Sequence, residues 1–477
     1  MSKSFIQIQI LLLLGLCSQL HGQTTEMFAK KAYKHASVGI CVLDLASSRI
    51  IMNLNAQRCL EPASVVKLIT TSAALEILGP DHRFETRIEY TGFIVNGILH
   101  GDLWIRGGGD PSLGSRYVDG NPEAFMEEWV QAVKSAGIRT VNGRILADAT
   151  LFDDEPVSPY WLWDDIGNYY APGIFGIAVF DNSYQLTLRS GESGSRPEII
   201  SVKPVLPELK FENHLIAASN DKDSAYIHGA PYQWERSLFG TMPDNRQSFV
   251  IRGDIPDPPS YLAGYFRTAL EDAGIRVNGK VVSLKQSDKE VLNVTDTFKI
   301  LHKTYSVPLS RMIRFIHFKS DNLYTEYLLR HLSLTVSNKP ASARAGIQVV
   351  RNFWKQKGLD ISALFLSDAC GLSPNDRVSP GLLAQILRYM SVKSKNASVF
   401  KSSFPLAGKE GSVSGFLKGT KLEGQLRLKS GSAQSVTSYA GYYERKGKSY
   451  VVVLLVNDAD ANRLQIRKDM EDFLLSL

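Results

Sequence analysis

A serine and a lysine three residues apart are the first side chains in the sequence that could do chemistry together. Ser64 and Lys67 stand at the start of an apolar run that continues to Leu78 and is followed by Gly79-Pro80. Such a run predicts a buried helix, because a glycine commonly ends a helix and a proline cannot extend it. On a helix both side chains would emerge on one face near the positive end of the dipole. A lysine that burial has deprived of its charge can accept a serine proton, so the pair predicts nucleophilic catalysis.

The spacing Ser-x-x-Lys is common, and it recurs at Ser219 to Lys222 and at Ser398 to Lys401. A helix N-cap with a solvated lysine one turn later is the ordinary explanation for any single occurrence. Ser64 differs because an almost wholly apolar helix is predicted directly after it. Its interpretation therefore depends on partners found further along the chain.

Ser320-Asp321-Asn322 forms the second motif, and it lies between two predicted helices. Asn322 could position a substrate amide, and the hydroxyl of Ser320 could pass a proton between Lys67 and a leaving amine. The ordinary alternative is a helix N-cap, since Ser-x-Asn recurs at Ser373 to Asn375.

Lys429-Ser430-Gly431-Ser432 forms the third motif, at the end of a predicted strand. A lysine and a hydroxyl at a strand edge can hold a carboxylate, and Gly431 lets a substrate backbone approach closely. The backbone N–H groups of Ser432 and Ser64 would then form an oxyanion hole. A polar hairpin turn is the ordinary alternative for this motif.

The composition is that of a globular protein of two or three domains, with 477 residues, 44% hydrophobic and 21% charged. The net charge of +6 is spread along the chain, which argues against nucleic-acid binding. It is compatible with a mild attraction to anionic cell-wall or membrane surfaces.

An export signal is predicted at the N-terminus, in residues 1–22. A basic start at Lys3 precedes an apolar run over residues 8–17 that is too short to cross a bilayer. A lipid-modified Cys17 is the alternative, but the bulky Leu16 before it disfavours such processing. No other stretch predicts a transmembrane segment.

Neither a metal nor a cofactor is predicted. The nine histidines show no metal-binding spacing. Without the signal three cysteines remain, Cys41, Cys59 and Cys370, and we expect buried thiols with at most one disulfide.

The elements that must position these motifs come from both ends of the chain. A strand–turn–strand pattern over residues 38–54 precedes Ser64, and three helices are predicted between residues 309 and 358. Strands are then predicted from residue 425 to residue 456, and a last helix ends near residue 475. Strands at both ends around a helical middle suggest one sheet.

Between the predicted helix after Ser64 and residue 300, the sequence contains an approximate internal repeat, the internal echo. Residues 136–145 and 273–281 are similar, and each copy follows a helix-like segment. Two such units separated in sequence suggest one domain interrupted by an insertion. The interrupting piece, residues 188–253, is predicted to be all-β because it consists of short alternating runs and turn residues.

In the order Ser-x-x-Lys, Ser-x-Asn and Lys-Ser/Thr-Gly, the three motifs together resemble those of the penicillin-recognising serine acyl-transferases. The long insertion between Lys67 and Ser320 is similar to that of the D-alanyl-D-alanine carboxypeptidase/endopeptidase family, the class C low-molecular-mass penicillin-binding proteins. Ser430 stands where that family usually has threonine, and Cys370 and Ala369 replace a usual serine and glycine. Further segments share the resemblance: Leu103 to Leu113, Trp161 to Asp165, Ala171-Pro172, Asp368 to Ser373 and Pro405 to Gly408.

The resemblance implies an α/β multi-domain fold. A transpeptidase/β-lactamase-like domain, an antiparallel sheet flanked by helices, would carry the site. An inserted α/β domain would in turn carry a small all-β domain. The implied boundaries are 24–87 with 296–477 for the catalytic domain, 88–187 with 254–295 for the second domain, and 188–253 for the β domain.

The activity that the resemblance implies is that of an exported serine DD-peptidase, periplasmic or extracellular. Its partners would be peptidoglycan stem peptides and cross-links, with β-lactams as inhibitors. Ser64 would form the acyl-enzyme with Lys67 as base and Ser320 as proton carrier. Asn322, Lys429, Ser430, Gly431 and Ser432 would bind the substrate, and Asp165 would face its free amine.

Two rival functions remain open on the sequence. A β-lactamase or esterase of the same superfamily would hydrolyse its acyl-enzyme fast, but no Glu-x-x-Leu-Asn segment is present to supply a deacylating glutamate. A catalytically silent wall-binding scaffold would not need the three intact motifs.

Overall fold

The computed structural model of the chain describes residue 28 and residues 30–118, 120–288, 297–445 and 447–477. The predicted signal, residues 1–22, lies outside the described residues. The chain forms two compact units. The first unit comprises the described residues up to Asp81 with Leu309–Leu332 and Ile347–Leu477, and the second comprises His82–Pro308 and Ser333–Gly346. In the described part of the chain, no helix combines the length and apolar character needed to cross a bilayer.

Before residue 81 the chain forms β1 (Ser37–Asp44), β2 (Ile50–Leu54) and α1 (Lys67–Leu78). The second unit holds β3 (Glu85–Tyr90), β4 (Phe93–Val95), β5 (Ile98–His100), β6 (Leu103–Arg106), α2 (Ala124–Ser135), β7 (Thr140–Val141), β8 (Ile145–Asp148), β9 (Ser183–Arg189), β10 (Glu198–Lys203), β11 (Lys210–Asn213), β12 (Ile216–Ala218), β13 (Ser224–His228), β14 (Glu235–Pro243), β15 (Phe249–Asp254), α3 (Pro258–Asp272), β16 (Arg276–Val277), β17 (Val281–Leu284) and β18 (Lys299–Tyr305). From residue 309 on it forms α4 (Leu309–Lys319), α5 (Asn322–Leu334), α6 (Ala343–Gln356), β19 (Leu364–Phe365), β20 (Arg377–Val378), α7 (Pro380–Val392), α8 (Ala397–Ser402), β21 (Leu426–Ser432), β22 (Val436–Arg445), β23 (Lys448–Asn457) and α9 (Arg463–Ser476).

The first unit is built on one antiparallel sheet in the order β2-β1-β23-β22-β21. β1 from the N-terminal part pairs along its whole length with β23 from the C-terminal part, from Ser37 opposite Asn457 to Asp44 opposite Tyr450. The predicted sheet from both ends is therefore confirmed. α9 buries Ile466, Met470 and Phe473 in the same core as the strands.

Two helices of this unit, α7 and α8, were not predicted, although α7 has a recognisable start. Ser379 accepts the N–H of Leu382 as N-cap, and Pro380 occupies the first turn. This Ser-Pro start is a known signal for a helix, and the apolar run after it supports that reading.

The internal echo pairs with itself in the second unit. β16 lies parallel to β7, with Arg276 opposite Thr140, and β17 lies parallel to β8, with Val281 opposite Ile145. β5 pairs with β7 and β6 pairs with β8, and both pairs are parallel. Residues 98–106 are therefore a third copy of the same strand–glycine–strand unit. The glycines of the three copies, Gly101, Gly143 and Gly279, pack against one another where a Cβ would collide with the neighbouring backbone.

Besides a small cluster of Trp104, Leu146 and Leu284, the second unit contains two larger hydrophobic cores. One joins α2 and α3 to the strands of the echo, with Trp129 and Phe266 at its centre. The other lies among β9 to β15 and includes Tyr184 and Leu238. These two cores support the proposed separation of an α/β domain from a small all-β domain, whose exact boundaries stay a prediction.

The burial of the three cysteines matches the expectation only in part. Cys41, Cys59 and Cys370 are all free thiols in the described chain. Cys41 and Cys370 are buried as expected, but Cys59 is only half-buried. It lies in the irregular segment between β2 and the turn that carries Ser64, outside the core.

Candidate active site

Ser64 lies in a tight 3₁₀ turn, Ala63–Val66, that runs directly into α1. The helix therefore begins at Lys67, three residues later than the serine. Ala63 has a left-handed backbone, with φ of 46°, which costs a non-glycine residue energy unless its surroundings hold it. Gly371 packs against the carbonyl of Ala63, and Ser438 donates a hydrogen bond of 2.7 Å to Pro62 O. Contacts from two distant parts of the chain thus fix the turn.

Lys67 is fully buried, and its Nζ atom touches three oxygens. It lies 2.9 Å from Ser64 Oγ, 2.7 Å from Asn322 Oδ1 and 2.5 Å from the backbone oxygen of Cys370. Burial lowers the pKa of Lys67, while nearby acidic groups including Asp368 and Glu326 oppose that shift. The predicted contact between Ser64 and Lys67 is present.

A buried acidic group supports the loop behind Lys67. Each carboxylate oxygen of Asp368 accepts two backbone N–H bonds, from the four residues 370 to 373, at 2.6 to 3.1 Å. Glu326 accepts the N–H of Ala369 at 2.7 Å, and burial raises its pKa to about 7. This network directs the Cys370 carbonyl towards Lys67. Because the backbone of residue 370 makes the contact with Lys67, a cysteine side chain is compatible with it.

Ser320 and Asn322 lie where α4 ends and α5 begins. Ser320 has a left-handed backbone, with φ of 61°, an energetically costly conformation that often marks functional sites. Asn322 accepts from Lys67, whereas Ser320 Oγ accepts from Lys429 Nζ at 2.8 Å. The two residues of the motif therefore contact two different lysines.

Lys429 is also fully buried, in β21. Its Nζ atom donates to Ser320 Oγ and to Ser430 O, the latter at 2.5 Å. Burial, together with the positive charge of Lys67, holds the pKa of Lys429 well below its usual range. A carboxylate that approached this group would supply a counter-charge and raise the pKa again.

Gly431 allows β21 to lie against the Ser64 turn. A Cβ at this position would lie 2.9 Å from Ser64 N and 2.9 Å from Pro62 O, and it would collide with Ser438 Oγ. β21 is the last strand of its sheet, so its outer edge faces no further strand of the described chain, apart from one bridge between Leu406 and Arg427. That edge is a template on which an extended peptide can pair.

The hydroxyl groups at the end of β21 are accessible. Ser430 Oγ lies 2.7 Å from the exposed Ser412 Oγ, and Ser432 is exposed. Ser412 stands in a short turn after α8 and was not predicted from the sequence. No sequence motif marked Ser412, because only the fold brings this residue beside β21.

Asp165 lies in the second unit and is half-buried. Burial raises the pKa of its carboxyl group, a hydrogen bond from the Tyr170 hydroxyl lowers it, and the neighbouring Asp164 charge raises it. The role predicted for Asp165 stays a prediction.

Sequence reasoning also missed His317, a fully buried histidine on α4. Its ring nitrogens lie 2.9 Å from Thr71 Oγ1 and 2.8 Å from Ser403 Oγ, and Thr71 donates to Lys67 O. Burial and the charges of Lys429 and Lys67 hold the pKa of His317 well below its usual range. The histidine thus ties α4 to α1 beneath the two lysines.

Ser64 and two buried lysines beside an open sheet edge form the arrangement expected of penicillin-recognising serine acyl-transferases. A model of one family within that class, D-Ala-D-Ala carboxypeptidase 3 (S13), matches residues 20–477. The chain belongs to this family, which confirms the resemblance inferred from the motifs.

Two relatives and one solved structure are similar to this chain over most of its length. The chain is 25% identical over 440 residues to the D-alanyl-D-alanine carboxypeptidase DacB of Haemophilus influenzae, covering 91% of this chain and 88% of the relative. It is 26% identical over 475 residues to the D-alanyl-D-alanine carboxypeptidase of an Actinomadura species, covering 94% and 84%. The crystal structure of penicillin binding protein 4 (dacB) from Haemophilus influenzae matches with a TM-score of 0.81 at 23% identity, over 95% of this chain and 98% of that one. This match confirms the predicted fold class.

Proposed function

We propose that the protein is a serine DD-peptidase that cleaves the D-Ala-D-Ala end, or a D-Ala cross-link, of peptidoglycan peptides. The observation that carries the proposal is the environment of Lys67. A neutral lysine has two N–H groups and one lone pair. Asn322 Oδ1 and the Cys370 carbonyl can take the two N–H groups, which leaves the lone pair for the proton of Ser64.

Acylation follows from this arrangement. Ser64 Oγ attacks the carbonyl carbon of the penultimate D-Ala while its proton moves to Lys67. The backbone N–H groups of Ser64 and Ser432 stabilise the resulting oxyanion. The C–N bond then breaks, and the proton that Lys67 took from Ser64 passes to the leaving D-Ala amine through the hydroxyl of Ser320, which Lys429 holds in place. Lys67 is thereby neutral again. Water hydrolyses the acyl-enzyme and restores Ser64.

The substrate would bind as an additional strand on the outer edge of β21. Gly431 leaves its backbone bare at the point of closest approach to Ser64. The hydroxyl groups of Ser430 and Ser432 would hold the terminal carboxylate, with the buried Lys429 as counter-charge.

The relatives support the finer parts of the proposal. Both curated relatives are named D-alanyl-D-alanine carboxypeptidases, and the Haemophilus protein has also been crystallised with a β-lactam. We extend β-lactam inhibition to this chain, and we place it outside the cytoplasm on the strength of its predicted signal. Endopeptidase action on cross-links is part of the same proposal.

The test is the release of D-Ala from a stem-peptide mimic that ends in D-Ala-D-Ala, with the L-Ala-L-Ala peptide as control. We expect release from the first peptide only, and its inhibition by benzylpenicillin. A folded protein that released no D-Ala and formed no penicillin adduct would overturn the proposal in favour of a silent scaffold. Rapid conversion of penicillin into its hydrolysed product would favour a β-lactamase.

Replacement of Lys429 by alanine should impair substrates that carry a terminal carboxylate far more than thioester substrates without one. A charge-assisted contact contributes roughly 1.5 to 3 kcal/mol, which corresponds to a selective loss of about tenfold to hundredfold in kcat/KM. Steady-state kinetics on the two substrate types provide the measurement. Equal losses on both would assign Lys429 a structural role.

Replacement of Asp165 by asparagine should impair only substrates whose diamino acid keeps a free ammonium group, because the predicted contact is an ion pair. The measurement compares D-Ala release from one stem-peptide mimic with its side-chain amine free and acetylated. Asp164→Asn is the matched control, since Asp164 is the exposed neighbour. Equal activity of the Asp165 variant on both peptides would exclude the role.

A further inference from the structure

The second unit contains a large cavity built from parts of both of its larger cores. Its volume is about 1050 Å³, and it is lined by one face of α3, the segment before β9, the loop after β10 and Trp234. This exceeds the roughly 300 to 1,000 Å³ typical of small-molecule sites, which often lie between domains and have largely apolar, aromatic walls. None of the residues placed in the Ser64 site lines it.

Aromatic rings form one wall of the cavity. Tyr261 and Tyr265 lie one helical turn apart on α3, and their rings are almost parallel, 6° apart with centroids separated by 6.0 Å. Phe180 stands at about 60° to both rings, with centroids at 6.2 and 5.8 Å. Together the three rings make a corner with two aromatic faces.

The backbone holds Phe180 in this position. Phe180, Asp181 and Asn182 all have left-handed backbones, with φ of 52°, 57° and 46°. The Asn182 side chain bonds Val179 N and Gly173 O at 3.1 and 2.9 Å, and Asp181 accepts from Ser115 at 2.5 Å. Several contacts therefore fix an unfavourable conformation, and the aromatic corner is preformed.

Gly264 gives an independent indication that the cavity receives a ligand. It lies in the interior of α3 between the two tyrosines, where glycine destabilises a helix relative to alanine. An added Cβ would meet no atom within 4 Å, so packing within the protein does not require a glycine there. The absence of a side chain instead keeps the cavity open at the centre of its aromatic wall.

The polar groups of the cavity do not favour an ion. Two basic and three acidic side chains line it, and the arginine among them, Arg116, is already engaged by Asp181 at 3.5 Å and Ser183 at 3.2 Å. The remaining polar groups include the uncharged Asn121, Gln185 and Thr268. A fitting ligand is uncharged, has apolar C–H faces that pack on aromatic rings, and carries hydroxyl or amide groups at its rim.

From these observations we propose that the cavity binds an N-acetylated oligosaccharide, as found in the glycan strand of peptidoglycan. The identity of the glycan rests on the proposed function, whereas the chemical class rests on the cavity. Pyranose rings present C–H faces to the tyrosines, and their hydroxyl and acetamido groups meet the polar rim. Binding at this site would hold the second unit to the glycan while Ser64 acts on the stem peptides.

The test is calorimetric titration of the mature full-length protein with chitotetraose, an uncharged N-acetylglucosamine tetramer. We expect saturable binding that Gly264→Phe weakens at least tenfold by filling the cavity, and that Tyr265→Ala weakens about tenfold by removing one of the two parallel tyrosine rings. Gly264→Ala is the matched control: it should bind normally and melt at a higher temperature than the unaltered protein. All three variants should form the penicillin adduct at the unaltered rate.

Three outcomes would overturn the inference. These are the absence of saturable binding, normal binding by both Gly264→Phe and Tyr265→Ala, and preferential binding of a free stem peptide that Gly264→Phe abolishes. Titration of Ser64→Ala separates this inference from the proposed function, because that variant should bind the saccharide normally. Saccharide binding by a protein that forms no acyl-enzyme would contradict only the proposed function, and acylation without saccharide binding would contradict only the inference.

Discussion

Replacement of Ser64 by alanine is expected to abolish covalent labelling by penicillin. The Ser64 hydroxyl is the one in contact with Lys67 Nζ, at the turn where Gly431 brings the edge of β21 closest. Alanine removes only this oxygen, and the turn should persist because its contacts to Gly371 and Ser438 involve the backbone of Pro62 and Ala63. Intact-mass measurement after incubation with benzylpenicillin should show an adduct on the unaltered protein and none on the variant.

The chain supplies matched controls for this experiment. Ser219 and Ser398 have the same Ser-x-x-Lys spacing, but Ser219 bonds Asp244 on the exposed surface and Ser398 lies in the short helix α8. Alanine at either position should leave labelling complete. A full adduct on Ser64→Ala would show that another residue is the nucleophile.

Replacement of Lys67 by alanine should slow acylation about 10² to 10⁴-fold, the range expected for loss of a general base. The change also leaves Asn322 Oδ1 and the Cys370 carbonyl without the lysine donor, which costs about 1 to 3 kcal/mol for each buried group that stays unsatisfied. Lys67→Met keeps the volume and serves as the second variant. Stopped-flow measurement of the penicillin acylation rate tests this prediction, and circular dichroism verifies that both variants fold.

The pH dependence gives a further readout for Lys67. Because burial lowers the pKa of Lys67, its neutral form is populated at a lower pH than that of a solvated lysine. Acylation should therefore rise with pH through this lowered pKa and level off above it. The residual acylation of Lys67→Ala should lack that rise. A folded alanine variant with an unchanged rate and an unchanged profile would assign the base to another group.

Local patterns in the sequence were sufficient for most of the secondary structure. The apolar run after Lys67 predicted α1, and short apolar runs bounded by turn residues predicted β1 and the terminal strands, because the length of an apolar run and the residues that end it are local features of the sequence. The order of the three motifs identified the family. The echo at residues 136–145 and 273–281 predicted a split domain, but its third copy at residues 98–106 became visible only through strand pairing.

The chemistry of the site, by contrast, was decided by tertiary structure. The two oxygens that complete the environment of Lys67 come from residues 255 and 303 positions away, and no local pattern records such a distance. The sequence suggested that Ser320 would meet Lys67, yet the fold places its hydroxyl on Lys429. It also predicted a lysine at a strand edge, and Lys429 does lie in the edge strand β21, but its full burial and strongly lowered pKa were not visible in the sequence. Residue type and spacing thus determined which groups are available, but burial and long-range contacts set their charge and partners, because both depend on how distant segments pack.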